Sequence, residues 1–156
     1  MILSTHAIVG AAAAQFFPGA PALTFGAAVA SHYLVDLIPH REYTVNFFEK
    51  VQLGRHEIST VNFKNWNWAD TIKVSLDIAL GLAVAIFLLG HLGWLVLTLG
   101  ILGGILPDTL RFFKPLRKAE ILHAKVHYHK KWNIQSVFIF FPEILLDLAI
   151  VLAFWN

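Results

Sequence analysis

The chain has 156 residues, 57% of them hydrophobic and only 14% charged, with a formal net charge of +2 at pH 7 and a mean hydropathy of +0.64. A soluble domain is nearer one quarter charged, so one small water-soluble core cannot hide this much apolar surface, and an integral membrane protein is expected. There is no cysteine, which removes disulfides, thiolate metal sites and cysteine nucleophiles, and the basic residues flank apolar spans, so no nucleic-acid partner is expected.

Hydropathy divides the chain into five helical spans within a single domain covering residues 1–156. The fold expected is therefore all-α, an integral membrane bundle of about five transmembrane helices. The first span, about Ile2–Phe17, begins without Lys or Arg. It lacks the basic region of a secretory signal and reads as a retained helix. The second, about Pro21–Ile38, is rich in Ala and Gly. The connection that follows mixes Phe47, Phe48, Val51 and Ile58 with Glu49, Lys50, Arg55 and Glu57 over Tyr43–Phe63, which suggests an amphipathic segment lying in the interface. The third span is about Ala69–Leu89 and the fourth about Leu92–Leu106. A basic connection over 107–133 leads to the fifth, about Ile134–Trp155. The first and fourth are shorter than the ~20 residues a bilayer core requires. Small residues (Gly10, Ala11 to Ala14, Gly26 to Ala28, Ala30, Gly100, Gly103 and Gly104) are expected to let helices approach closely. Trp66, Trp68, Trp94, Trp132 and Trp155 all fall near span ends, where an indole is favoured.

All twelve Lys and Arg residues belong to one side of this map. Arg41, Lys50, Arg55, Lys64 and Lys73 lie in or near one connection. Arg111, Lys114, Arg117, Lys118, Lys125, Lys130 and Lys131 lie in the other. The turns on the opposite side carry no charge. The positive-inside rule makes the basic side cytoplasmic, which predicts a multi-pass protein of the cytoplasmic membrane with its N-terminus inside. The basic 111–131 stretch is expected to meet anionic lipid headgroups or a phosphate-bearing substrate.

The other ionisable residues crowd the same side. His32 and Asp36 are i and i+4 on one helix face, as are His123 and His127, and Glu143 and Asp147. Asp70 and Asp77, seven apart, also share a face. A carboxylate in hydrocarbon costs about 2.5–3.5 kcal/mol even on the gentler scales. Several of them without a cation at the same depth call for a positive partner, and a divalent metal ion supplies one. Nitrogen and oxygen ligands suit zinc, and also manganese or iron. Asp147 has an alternative partner in Lys73.

Thr5-His6-Ala7-Ile8-Val9-Gly10, Ser31-His32-Tyr33-Leu34-Val35-Asp36-Leu37-Ile38-Pro39-His40 and Gly104-Ile105-Leu106-Pro107-Asp108 resemble motifs of the predicted membrane-bound metal-dependent hydrolases. These are small bacterial membrane proteins distantly akin to zinc-dependent phospholipase C. The resemblance implies His6, His32, Asp36 and Asp108 as metal ligands, with His123 and His127 in addition. Two elements differ. The better-known branch carries an Asp-x-His after its Pro-Asp, where this chain has Thr109-Leu110-Arg111. His40-Arg41-Glu42-Tyr43-Thr44-Val45 lacks the Gly and final His of that branch's His-Arg-Gly-x-Thr-His element.

Two functions follow. The first is a metal-dependent hydrolase at the cytoplasmic face. Asp77 or Glu143 would be general base or orienting partner, and Lys114, Arg117, Lys118 or Lys125 would bind the phosphate of a phosphoester or lipid-like substrate. The second is a non-catalytic subunit or scaffold of a larger membrane complex, with haem bound between His6 and His32 as a variant.

Overall fold

A computed structural model describes residues 3–38, 45–53, 56–113 and 141–154. Five helices are described, α1 Leu3–Ala14, α2 Pro21–Val35, α3 Trp68–Leu89, α4 Trp94–Thr109 and α5 Phe141–Phe154, with a hairpin of β1 Phe48–Leu53 and β2 His56–Val61 between α2 and α3. The helix starts have local causes. Pro21 opens α2, where its fixed φ suits the first turn and its missing N–H costs nothing. Asn67 caps α3 by accepting from the Asp70 amide at 2.9 Å. Gly93, at φ +86°, turns the chain from α3 into α4 through a conformation other residues resist. α4 continues through Pro107 to Thr109 rather than stopping at Leu106. A proline this close to the end removes only its own bond to the Gly103 carbonyl.

α1 is the central helix. It packs against α2, α3, α4 and α5, and nine of its twelve residues are buried. Small residues make this possible. A Cβ on Gly10 would come within 2.5 Å of the Gly100 carbonyl oxygen, and one on Gly100 within 2.7 Å of the Ala11 Cα. Gly103 sits equally close to Ala28 of α2, and Gly81 of α3 lies against the Ser4 Cα. Gly100 and Gly104 thus form the small-residue stripe expected of helices that meet backbone to backbone. Gly26 does not take part. It faces open space on the outside of α2, because Thr24, Ala28, Ser31 and His32 form the inward face.

Besides the apolar core of Ala7, Ala11, Leu88, Leu89 and Leu97, large apolar side chains line the outside and polar ones lie within. Ile72, Leu76, Leu80 and Phe87 of α3, Leu95 and Leu102 of α4, Leu23 and Leu34 of α2, and Leu145, Leu148 and Leu152 of α5 are exposed. Ser4, Thr5, His6, Thr24, Ser31, His32, Asp36 and Asp70 are buried.

One expectation is met in part and another is corrected. One helix, Trp68–Leu92 with its closing turn, is long and apolar enough to cross a membrane, while Leu3–Ala14, Pro21–Val35 and Trp94–Thr109 are shorter apolar helices. At 1.5 Å per residue these three reach about 18, 22 and 24 Å, short of a ~30 Å hydrocarbon core. All-α architecture is thus met, and among the described residues one helix has the length and composition of a full span. The segment expected to lie amphipathically in the interface over Tyr43–Phe63 is instead largely the antiparallel hairpin, pairing Phe48 with Val61 and Val51 with Ile58. It is fastened to the helices at its base. The Asn46 amide donates to Asp70 Oδ2 at 2.6 Å, and the Phe47 ring stacks on Trp66 at 4.4 Å.

Candidate metal centre

Three side chains from α1 and the end of α2 lie together, with a fourth from α4 beside one of them. His6 comes from the first turn of α1 and His32 from the last turn of α2. Asp36 caps α2 at its C-terminus, with its amide donating to the His32 carbonyl, and Asp108 lies in the last turn of α4. The imidazoles of His6 and His32 stack at 3.9 Å between centroids and 26° between planes. Asp36 lies against both rings, with Oδ1 3.2 Å from His6 Nε2 and Oδ2 3.1 Å from His32 Nε2. Asp108 Oδ2 is 3.7 Å from His6 Nε2. His6, His32 and Asp36 are buried, whereas the Asp108 side chain keeps 12% of its surface, so the cluster reaches the outside at Asp108.

One contact fixes the chemistry of His32. Its Nδ1 lies 2.7 Å from the carbonyl oxygen of Gly104. A carbonyl can only accept, so Nδ1 carries the proton, and in the neutral ring Nε2 presents a lone pair. That lone pair faces a carboxylate oxygen. This contact, 3.1 Å long, is met either by a second ring proton, which makes an imidazolium that donates to Asp36, or by a metal ion between the two atoms. His6 is similar. Its Nε2 is within hydrogen-bond distance of Asp36, yet neither of its ring nitrogens has hydrogen-bond geometry with any described residue.

The His6, His32 and Asp36 group could hold a metal ion, with one ligand atom from each within 4.8 Å of the others. A tetrahedral zinc with ligand bonds of about 2.0–2.1 Å has ligand–ligand edges of roughly 3.3 Å, and the 3.1, 3.2 and 3.7 Å separations bracket that value. The bond from His32 Nδ1 to Gly104 is also the orienting bond that metal-ligating histidines make through their second nitrogen.

Asp77 has another occupation. Its carboxylate accepts from the backbone amides of Leu3 at 2.8 Å and Ser4 at 3.3 Å, capping α1 from a neighbouring helix. Asp147 Oδ2 accepts from the Thr5 hydroxyl at 3.0 Å. Lys73, offered above as a partner for Asp147, lies 3.4 Å from Asp70 instead, because Asp70 is i−3 on its own helix. Glu143 belongs to α5, but its side chain lies outside the described residues. So do His123, His127, Lys114, Arg117, Lys118 and Lys125. The Gly104 carbonyl was not foreseen as part of the site. The Gly100–Gly104 spacing signals the close helix approach but not the acceptor it delivers.

The chain matches no family model, no curated protein and no solved structure.

Proposed function

We propose that the chain is a multi-pass protein of the cytoplasmic membrane, its N-terminus inside, that holds a divalent ion at His6, His32, Asp36 and Asp108 and hydrolyses a phosphoester or lipid-like substrate at the cytoplasmic face. The observation that carries the metal is the convergence of His6, His32 and Asp36, which offer one ligand atom each within 4.8 Å of the others, with His32 Nδ1 turned to the Gly104 carbonyl so that Nε2 faces Asp36. A proton on one ring would relieve one such contact. Three ligand atoms within 4.8 Å of one another, with Asp108 3.7 Å from His6 beside them, are better met by one ion, and zinc suits imidazole and carboxylate donors.

The membrane placement is supported by the outward apolar faces and by Trp68–Leu92, of which only 22% of the most apolar window is buried. A core helix of a soluble protein would be mostly buried. Helices shorter than the bilayer are tolerated by local thinning, which keeps the five-span arrangement open to α1, α2, α4 and α5. The resemblance to predicted membrane-bound metal-dependent hydrolases supplies the reaction class.

A divalent ion here contributes Lewis acidity, which makes water a nucleophile at neutral pH. The chain's own residues fix the rest. His32 is held to one tautomer, Asp36 spans both imidazoles, and Asp108 is the member of the cluster that a substrate entering from outside meets first. Lys114, Arg117, Lys118 and Lys125 remain the proposed phosphate ligands.

The test is hydrolysis of bis-p-nitrophenyl phosphate and of a short-chain phospholipid by zinc-loaded protein. Turnover that chelator, His32→Ala and Asp36→Asn all abolish supports the reading. Metal uptake without turnover on either substrate leaves a non-catalytic subunit. The haem variant finds no support, since rings stacked at 3.9 Å leave no space for a macrocycle between them.

A further inference from the structure

We propose that Asp77 is a positioning residue for His6, holding the first turn of α1 so that the imidazole meets the metal. This rests on the metal reading above.

The two imidazoles are not supported alike. His32 is oriented by its own second nitrogen through Gly104. His6 Nδ1 is buried and makes no hydrogen bond among the described residues, so beyond the stacking on His32 and the contacts at Nε2 the ring relies on where the α1 backbone puts it. That backbone is held at its first turn. The leading amides of a helix have no acceptor within it, and an anion there is favoured by the aligned peptide dipoles. Asp77 takes two of these amides, Leu3 and Ser4, one on each carboxylate oxygen. Gly81, i+4 from Asp77 and on the same face of α3, lets the Ser4 backbone come into contact. On the far side Gly104 lies against the His6 carbonyl with no room for a side chain. The first turn of α1 is thus clamped between α3 and α4, and Asp77 is the polar half of the clamp. Without it the turn can rotate or fray, and Nε2 of His6 leaves the point it shares with Asp36 and Asp108.

The experiment compares the full-length wild type, Asp77→Ala, Asp77→Asn and Leu88→Ala in detergent, reading zinc affinity by chelator competition, the visible spectrum of the cobalt-loaded protein, and Tm. Leu88 is buried in the apolar core away from the site and serves as a control for lost stability. Orienting partners of metal ligands typically contribute about 10–100-fold in affinity. Asp77→Ala is expected to weaken zinc binding by that factor and to shift the cobalt bands. Asp77→Asn, with one acceptor oxygen left, should fall between it and the wild type. Leu88→Ala should lower Tm and leave affinity and spectrum alone. Asp77 variants that lose Tm but bind metal with wild-type affinity and spectrum would make Asp77 a helix cap only. Failure of even Asp77→Asn to fold would count the same way. A wild type that takes up neither zinc nor cobalt would sink the metal reading itself.

Discussion

Gly104 lies against the carbonyl of His6 where a methyl group has no space, and its own carbonyl takes the proton of His32 Nδ1 at 2.7 Å. One residue without a side chain therefore sets both the α1–α4 spacing and the tautomer of His32 on α2. Gly104→Ala must push the two helices apart. Overpacking of this kind costs about 1–3 kcal/mol, and the same displacement pulls the acceptor away from His32. The expected outcome is a lower Tm together with loss of bound metal. A variant with lower Tm and full metal content would separate the two roles.

Metal removal should be visible as stability. A ligand bound only by the folded state stabilises by about 2.7 kcal/mol at a hundredfold excess over its Kd. Adding a chelator is expected to lower the Tm of the wild type, and zinc to restore it. His32→Ala should show neither response, because its remaining donors no longer close around an ion. Equal chelator sensitivity in both proteins would point to metal bound elsewhere.

Leu80 is exposed near the middle of Trp68–Leu92. In a soluble protein an exposed Leu→Arg change is nearly neutral. At the centre of a bilayer an arginine costs about 2.5–3.5 kcal/mol or more. Leu80→Arg is therefore expected to reduce carbonate-resistant membrane insertion several-fold. Undiminished insertion would remove α3 from the lipid.

Asp70 is buried and ties the hairpin to α3 through the Asn46 amide at 2.6 Å, while its second oxygen meets the Asn46 side chain at 3.4 Å. The Lys73 ammonium beside it is half exposed, so that pair is screened and contributes little. Asp70→Ala should free the base of the hairpin, and hydrogen exchange at the 46–61 amides should accelerate while exchange in α4 does not. Unchanged exchange at 46–61 would mean that Phe47 stacked on Trp66 holds the hairpin alone.

The helices were legible because their signals are local. Apolar runs, Pro21 and the Gly90–Gly93 turn mark their ends, and the i,i+4 spacing of His32 and Asp36 put both on one face. The hairpin was misread because Phe47, Phe48, Val51 and Ile58 fit an amphipathic segment as well as they fit strands. The better signal was the run Ile58-Ser59-Thr60-Val61, three of whose four residues are β-branched and favour strands. Asp77 and Asp147 were ambiguous for a different reason. Their partners, the Leu3 amide and the Thr5 hydroxyl, lie 74 and 142 residues away, and no spacing rule reaches that far. Small glycines were readable as a class, but not which of them faced a neighbour. Gly81 does and was passed over, whereas Gly26 does not.

X-ray absorption at the metal edge, with elemental analysis of the same purified protein, tests the central claim most directly. The account predicts a near-stoichiometric transition metal, zinc foremost, in a shell of nitrogen and oxygen at about 2.0–2.1 Å, with imidazole scattering that diminishes in His6→Ala and in His32→Ala. Protein of native helix content that binds no transition metal, or a metal whose shell is unchanged by both substitutions, would contradict it.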